Sequence, residues 1–481
     1  VDAEAFRELG HALVDWVARY RETMERLPVM SPARPGEIRA RFPEGPPREG
    51  GRLAEAVASL DELVLPGITH WNHPSFFAYF PANTSYASIL ADLVTAGLGA
   101  QGMSWQTSPA ATEVEEVVME WLRGMVGLPD DFTGVIHDTA STATLTALLC
   151  ARERASGHAQ ERKGLQGGEP PLVVYASDQA HSSVEKAALL AGFGRDFLRH
   201  VPSDDVHAMR PDALAEAVAR DVSAGLRPCA IVATTGTTGT TALDPVTEIA
   251  EVAARHRAWL HVDAALAGTA MVVPEYRWMW RGVEAAESVV FNPHKWLGAG
   301  FDLSAFFVRD PEHLVRVMST SPSYLRTAQD GAVKNFRDWG IPLGRRFRAL
   351  KLWFHLADEG VAGLQARVRR DVGNAAWLAA QVDAAADWER LAPAPLQTVS
   401  MRHVPPGVTD ETRLAEHNLG IARRVNASGR AYLTPSVVKG VQLLRVSVGA
   451  ERTERRHLEA LWRALCEAAR GPLPGGAAVG A

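Results

Sequence analysis

Apolar residues in the first 26 positions recur at helical spacing. Phe6, Leu9, Leu13, Val14, Val17 and Tyr20 share one stripe, which predicts a helix over residues 3–26. A Pro- and Gly-rich stretch runs from Pro28 to Gly51. A second helical pattern over 52–64 ends at Leu65-Pro66-Gly67. Residues 70–81 are dense in aromatics and follow neither helical nor strand period. Helical patterns return at 84–98 and 109–126. Short apolar runs at 134–136, 172–176, 229–234, 259–263, 288–292 and 304–308 then read as strands. Between them lie helical stretches at 141–155, 181–192, 211–224 and 245–256. This alternation predicts a mostly parallel sheet covered on both faces. A long amphipathic helix from about residue 344 leads into a mixed region over 370–470. The tail from Gly471 is Gly/Pro/Ala-rich and reads as disordered.

Composition narrows the function classes. A chain of 481 residues with 47% apolar content can bury a large core in two or three packed units. The net charge of -6, with no basic block, argues against nucleic acid as a partner. Cys150, Cys229 and Cys466 are too widely spaced for a disulfide framework or a paired-cysteine metal site, and no metal is expected; they fit a reducing cytoplasm. No apolar run approaches the ~20 residues needed to span a bilayer, and the acidic amphipathic start does not read as a signal peptide. The sequence begins at Val1 without methionine, so the start is open to trimming.

The most informative stretch is Asn292-Pro293-His294-Lys295-Trp296, which follows the apolar run Ser288-Val289-Val290-Phe291. The chain has only six lysines, and one stands here at the end of a buried strand. Desolvation there favours the neutral amine, which suits attack on an aldehyde. Lys295 therefore reads as the lysine that holds pyridoxal phosphate (PLP). The segment alone also fits a lysine that caps a strand and pairs with a carboxylate.

Other strand ends carry matching chemistry, and ligands of open parallel sheets bind beyond the carboxyl ends of strands. His137-Asp138-Thr139-Ala140-Ser141-Thr142 opens a helix with small and hydroxyl residues, which suits a phosphate or simply an N-cap. Asp263 ends Trp259-Leu260-His261-Val262-Asp263; a carboxylate there can keep the PLP ring nitrogen protonated, or cap a turn. His181, after the run at 172–176, can stack on a flat ring. Ala233 to Gly239 is a strand end opening into a small-residue loop. Each signal alone is weak; four in order at successive strand ends are much stronger.

At these residues the chain resembles the PLP-dependent group II decarboxylases, and most of all the aromatic L-amino acid decarboxylases. The resemblance runs from about residue 5 to about 465. It is carried by His70-Trp71 through Phe80-Pro81, Asp178 through Glu185, His261-Val262-Asp263-Ala264-Ala265, Asn292 through Trp296, and Ile341 through Arg348. It implies an α/β, type I PLP-dependent transferase fold with a mostly parallel seven-stranded sheet. The implied organisation is an N-terminal helical segment (1–84) packing on a partner subunit, a large PLP-binding domain (85–368), a small C-terminal α/β domain (369–470) and a tail (471–481). It also implies a homodimer with shared active sites.

The resemblance further implies residue roles. Lys295 would hold PLP, Asp263 would pair with its ring nitrogen, and Ala265 and His181 would flank the ring. Ala140, Ser141 and Asn292 would bind the phosphate, with His294 beside them, and Thr238 would contact the cofactor or lysine region. Tyr324 would deliver a proton, with Arg337 near its loop. Trp71, Tyr79, Phe80, Pro81 and Ala82 would line the side-chain pocket. Gln101, Met103 and Gly344 would contribute to it, the first two from the other subunit. Ala82, Leu266 and Met103 depart from the threonine, tyrosine and phenylalanine of animal relatives and make the pocket less polar. Gly344 tilts the preference toward indoles. The expected reaction is decarboxylation of aromatic L-amino acids, tryptophan favoured, with phenylalanine, tyrosine or DOPA also accepted. The rival is an aromatic acetaldehyde synthase, an outcome associated with phenylalanine at the position of Tyr324. A decarboxylase for acidic substrates would need cations that residues 71–81 lack, His73 excepted.

Overall fold

The computed structural model describes residues 1–168, 170–320 and 329–472. Tyr324 and most of the tail lie outside the described residues. The chain forms two compact units. The larger comprises Ala82–Ala379 and Arg390–Met401; the other comprises Val1–Pro81, Ala380–Glu389 and the chain from Arg402 onward.

The larger unit is built on seven strands: β1 (Thr133–His137), β2 (Leu172–Ser177), β3 (Leu198–Val201), β4 (Arg227–Thr234), β5 (Trp259–Asp263), β6 (Ser288–Phe291) and β7 (Ser304–Val308). Their order is β1-β7-β6-β5-β4-β2-β3. Strands β3, β2, β4, β5 and β6 run parallel, and β7 is antiparallel to both β6 and β1. Strands buried on both faces read as continuous apolar runs, which is why the sequence marks them so clearly. The helix Ala140–Ser156 lies on this sheet. Its Ala143, Ala147 and Ala151 join a core with Val135, Val174, Val232, Val290 and Phe306 from five strands.

The parallel register places Thr234, Asp263 and Val290 side by side at the carboxyl ends of β4, β5 and β6. Two small residues allow this layer to close. A Cβ on Gly268 would fall 2.4 Å from the Cβ of Phe291, and one on Gly236, whose φ is +88°, would fall 2.8 Å from that of Ala267.

The structure corrects three local expectations. The pattern over 52–64 is helical only over Leu53–Ala58 and continues as a wider turn over Leu60–Val64. The long helix begins at Ala349, not near 344, and breaks at Gly360 before ending at Ala384. β3 adds a strand that the apolar pattern did not mark. The remaining strands, β8 (Trp388–Arg390), β9 (Thr398–His403), β10 (Thr434–Val438) and β11 (Val441–Ser447), form a second sheet in the order β10-β11-β9-β8. In the second unit, residues of the N-terminal segment hydrogen-bond to the C-terminal region. Phe77 N donates to Tyr432 O at 2.8 Å, and Ser447 N donates to Phe77 O at 3.0 Å. No helix among the described residues is long and apolar enough to cross a membrane.

Candidate active site

Lys295 sits in the tight turn Pro293–Leu297 that follows β6, with φ -96° and ψ -107°, outside the helical region. Its side chain is half-buried, while its neighbours Pro293, His294, Trp296 and Leu297 are buried. Asn83 Nδ2 donates to the Lys295 carbonyl at 3.3 Å, and Lys295 N donates to Asn292 O at 2.9 Å. Trp296 anchors the turn from beneath through Nε1 to Asp371 Oδ2 at 2.9 Å.

Asp263 is the last residue of β5 and is 3% exposed. Its Oδ1 accepts from Ala265 N at 3.0 Å, so the side chain is fixed by its own turn. Ala265 in turn accepts from Asn292 N at 3.0 Å, which links the two strand ends. His181 caps the helix Ser182–Leu190, its Nδ1 accepting from Ser183 N at 3.1 Å. That bond assigns the ring proton to Nε2. Burial lowers the His181 pKa; Asp263 pulls it up and Lys295 pushes it down. Asp263 and Lys295 thus both act on the His181 ring.

The helix Ala140–Ser156 begins beside β1. Thr139 is its N-cap, accepting from Thr142 N at 3.4 Å, and Ala140 and Ser141 are its first two residues. First-turn N–H groups lack intrahelical acceptors and carry the positive end of the helix dipole, which suits a phosphate. Asn292 is buried, with Oδ1 accepting from Ser304 Oγ at 2.6 Å. His294 Nδ1 accepts from Leu303 N at 2.9 Å, leaving Nε2 as its N–H. Burial, reinforced by Lys295, pushes the His294 pKa down to about 4, so the ring is a neutral donor at pH 7.

The donor set fits PLP on observations of this structure. Asp263 is a buried carboxylate near a lysine, and the Thr235 hydroxyl at the end of β4 is buried without a hydrogen-bond partner among the described residues. Thr235 falls in the Ala233–Gly239 run that the sequence marks, whereas Ser304 and Asn83 carry no such signal. An ordinary Ser or Asn carries no pattern until tertiary contacts bring it to a site. Thr238 is exposed in the turn that follows Thr237.

The predicted side-chain-pocket residues form two groups. In the N-terminal segment, Trp71 stacks on Tyr79 at 5.4 Å between ring centroids and packs tilted against Phe76 at 4.6 Å, and Tyr432 packs edge-on to Tyr79 and Phe76. Arg445, also missed from the sequence, braces this shelf: Nη1 donates to Tyr79 O and the guanidinium lies 4.2 Å from the Phe80 ring centroid. It is 3% exposed, and burial lowers its pKa to about 9. Pro81 ends this unit and Ala82 begins the larger one.

Gln101, Met103, Arg337 and Gly344 meet in the larger unit. Arg337 N donates to Met103 O at 2.8 Å, Gly102 N to Arg345 O at 2.9 Å, and Arg345 N to Gln101 Oε1 at 2.6 Å. Arg337 is buried between Asp330 and Asp338. Among the described residues, no group of three His, Cys, Asp or Glu side chains is placed to hold a metal ion.

Comparison with known proteins extends this picture across the chain. Residues 35–403 match the pyridoxal-dependent decarboxylase conserved domain. The chain is 40% identical over 475 residues to tryptophan decarboxylase 2 of Oryza sativa subsp. japonica, covering 97% of this chain and 94% of that protein. It is 38% identical over 480 residues to phenylacetaldehyde synthase of Arabidopsis thaliana, covering 98% and 96%. A crystal structure of Oryza sativa TDC with PLP and tryptamine superposes with a TM-score of 0.94 at 36% identity, over 98% of both chains. The lysine turn, the strand-end aspartate and the helix start all lie within this matched range, and the chain belongs to the pyridoxal-dependent decarboxylase family.

Proposed function

We propose that this protein decarboxylates aromatic L-amino acids, tryptophan favoured, releasing the arylalkylamine and carbon dioxide. The observation that carries the reading is that Asp263 ends β5 beside β6, whose following turn holds Lys295, the two strand ends being joined by the Asn292 N to Ala265 O hydrogen bond at 3.0 Å. When bound, PLP supplies an aldehyde for the substrate amine and a ring that takes up the electron pair left by departing carbon dioxide.

The chain's own residues do the rest. Lys295 would hold the cofactor. Asp263, anchored by Ala265, would keep a proton on the ring nitrogen. His181 and Ala265 would flank the ring. The Ala140 and Ser141 N–H groups, Asn292 and the neutral N–H of His294 would hold the phosphate, and Thr238 would contact the cofactor or the lysine region. Burial of this layer excludes water, which favours loss of a charged carboxylate. Tyr324 returns a proton to the substrate Cα. The stacked rings of Trp71 and Tyr79, with Phe80, Pro81 and Ala82, offer a flat apolar surface suited to an aromatic side chain. Gln101, Met103, Arg337 and Gly344 are likewise assigned to substrate binding, and the active form is a cytoplasmic homodimer with shared sites.

A second reading, aromatic acetaldehyde synthesis, is favoured by the 38% identity to phenylacetaldehyde synthase. Tyr324 weighs against it. Incubating the PLP-loaded protein with L-tryptophan, L-phenylalanine, L-tyrosine and L-DOPA, and identifying the products, separates the two. Amine supports decarboxylation; aldehyde with ammonia and peroxide supports the second reading.

A further inference from the structure

The contact between Gln101 and the turn at Gly344 carries an inference beyond these roles. Gln101 reaches the turn through both ends of its amide. Oε1 accepts from Arg345 N at 2.6 Å, while Nε2 lies 3.2 Å from where a Cβ on Gly344 would stand. The backbone beneath is fixed as well. Thr107 Oγ1 donates to Gln101 O at 2.9 Å, and Gly102 N donates to Arg345 O at 2.9 Å. On the far side, the buried Arg345 donates through Nη2 to Glu115 Oε1 and to Ile136 O, each at 2.7 Å. The turn is held from two directions, while Ile341, Leu343 and Gly344 themselves are exposed.

A glutamine side chain is flexible, and alone it could give way to a new Cβ. Here it cannot withdraw without breaking its bond to Arg345 N, whose donor would then need another acceptor. The residues at 101 and 344 therefore cannot vary independently. We infer that Gln101 is a specificity-positioning residue: its amide sets the conformation of the turn and determines which side chains residue 344 can present to the substrate. This rests on the proposed function, in which residue 344 faces the substrate.

The test uses PLP-loaded wild type, Gln101→Leu, Gln101→Glu, Gly344→Ala and the Gln101→Leu/Gly344→Ala pair, each checked for unchanged PLP content and melting temperature. Specificity constants are measured for L-tryptophan and L-tyrosine. Binding of the unreactive analogues indole-3-propionate and 4-hydroxyphenylpropionate is measured by calorimetry. Gln101→Leu is expected to change the tryptophan-to-tyrosine ratio about fivefold or more, through KM and with the analogue affinities following, at nearly unchanged kcat. Gln101→Glu keeps the acceptor for Arg345 N and is expected to bring the tryptophan-to-tyrosine ratio back toward the wild-type value relative to Gln101→Leu. In the pair, the Gly344→Ala effect should differ at least about threefold from its effect alone, the non-additivity expected of touching side chains. A ratio unmoved in Gln101→Leu, or strictly multiplicative effects in the pair, overturns the role of Gln101 while leaving the proposed function intact. A wild type that makes no product from either amino acid overturns both.

Discussion

Gly268→Ala tests whether the packing behind the strand ends supports the site. Gly268 has ordinary backbone angles, so the perturbation is purely steric. The new Cβ would lie 2.4 Å from Phe291 Cβ and 2.8 Å from its Cγ. Carbon atoms prefer about 3.5–4.0 Å, so more than 1 Å must open between two backbone-fixed positions. Phe291 is fully buried at the end of β6 and cannot swing out. Overpacking of this kind costs about 1–3 kcal/mol. At roughly 2–4 °C per kcal/mol for domains somewhat smaller than this one, thermal unfolding should fall by several degrees. Because Asn292 follows Phe291 and bonds to Ala265, the variant should also retain less PLP after dialysis. Gly124→Ala is the control: nothing lies within 4 Å of its Cβ and it sits in the exposed part of a helix. It should be neutral or stabilising by about 0.5–1 kcal/mol. A Gly268→Ala protein that melts with the control and keeps its PLP would refute the claim that this contact fixes the site.

Lys295→Ala should abolish turnover; activity within about tenfold of wild type, a loss of only ~1.4 kcal/mol, would remove Lys295 from its role. Asp263→Asn should retain some PLP but lose most activity, and normal turnover with cofactor bound would contradict its pairing with the ring nitrogen. Tyr324→Phe should lose amine and gain aldehyde, ammonia and peroxide in the presence of oxygen; amine at the wild-type rate would exclude Tyr324 as the proton donor. His261 is fully buried between Ser288 and Thr144, and burial depresses its pKa to about 4. A depressed histidine stabilises fully above its unfolded value of roughly 6.5 and loses that contribution as pH falls toward 4. His261→Gln should therefore be less stable than wild type at pH 7.5, with the deficit shrinking by pH 5; a deficit independent of pH in denaturant unfolding would refute this.

Legibility in the sequence followed from how each feature is encoded. β2, β4, β5, β6 and β7 are buried on both faces and stand out as unbroken apolar runs. In β3, Leu198 and Val201 are buried but Arg199 and His200 are not, and four residues with two polar centres resemble a loop. It lies at the sheet edge, where one side of the strand is unpaired. Lys295 and Asp263 were readable because charged groups at the ends of apolar runs are unusual. Asn83 and Ser304 were not, because their polarity is matched only by tertiary neighbours. Arg445 looked like one more arginine in an arginine-rich chain until burial showed it braced against Tyr79 and Phe80. The clamp on Gly344 joins residues 244 positions apart, beyond the reach of any local pattern.

The most direct test of the central claim is product analysis on the PLP-loaded protein with L-tryptophan. The account predicts tryptamine and carbon dioxide in equal amounts, with negligible aldehyde and peroxide, and loss of both products in Lys295→Ala. Indole-3-acetaldehyde as the main product, or no carbon dioxide from any aromatic amino acid, would contradict it.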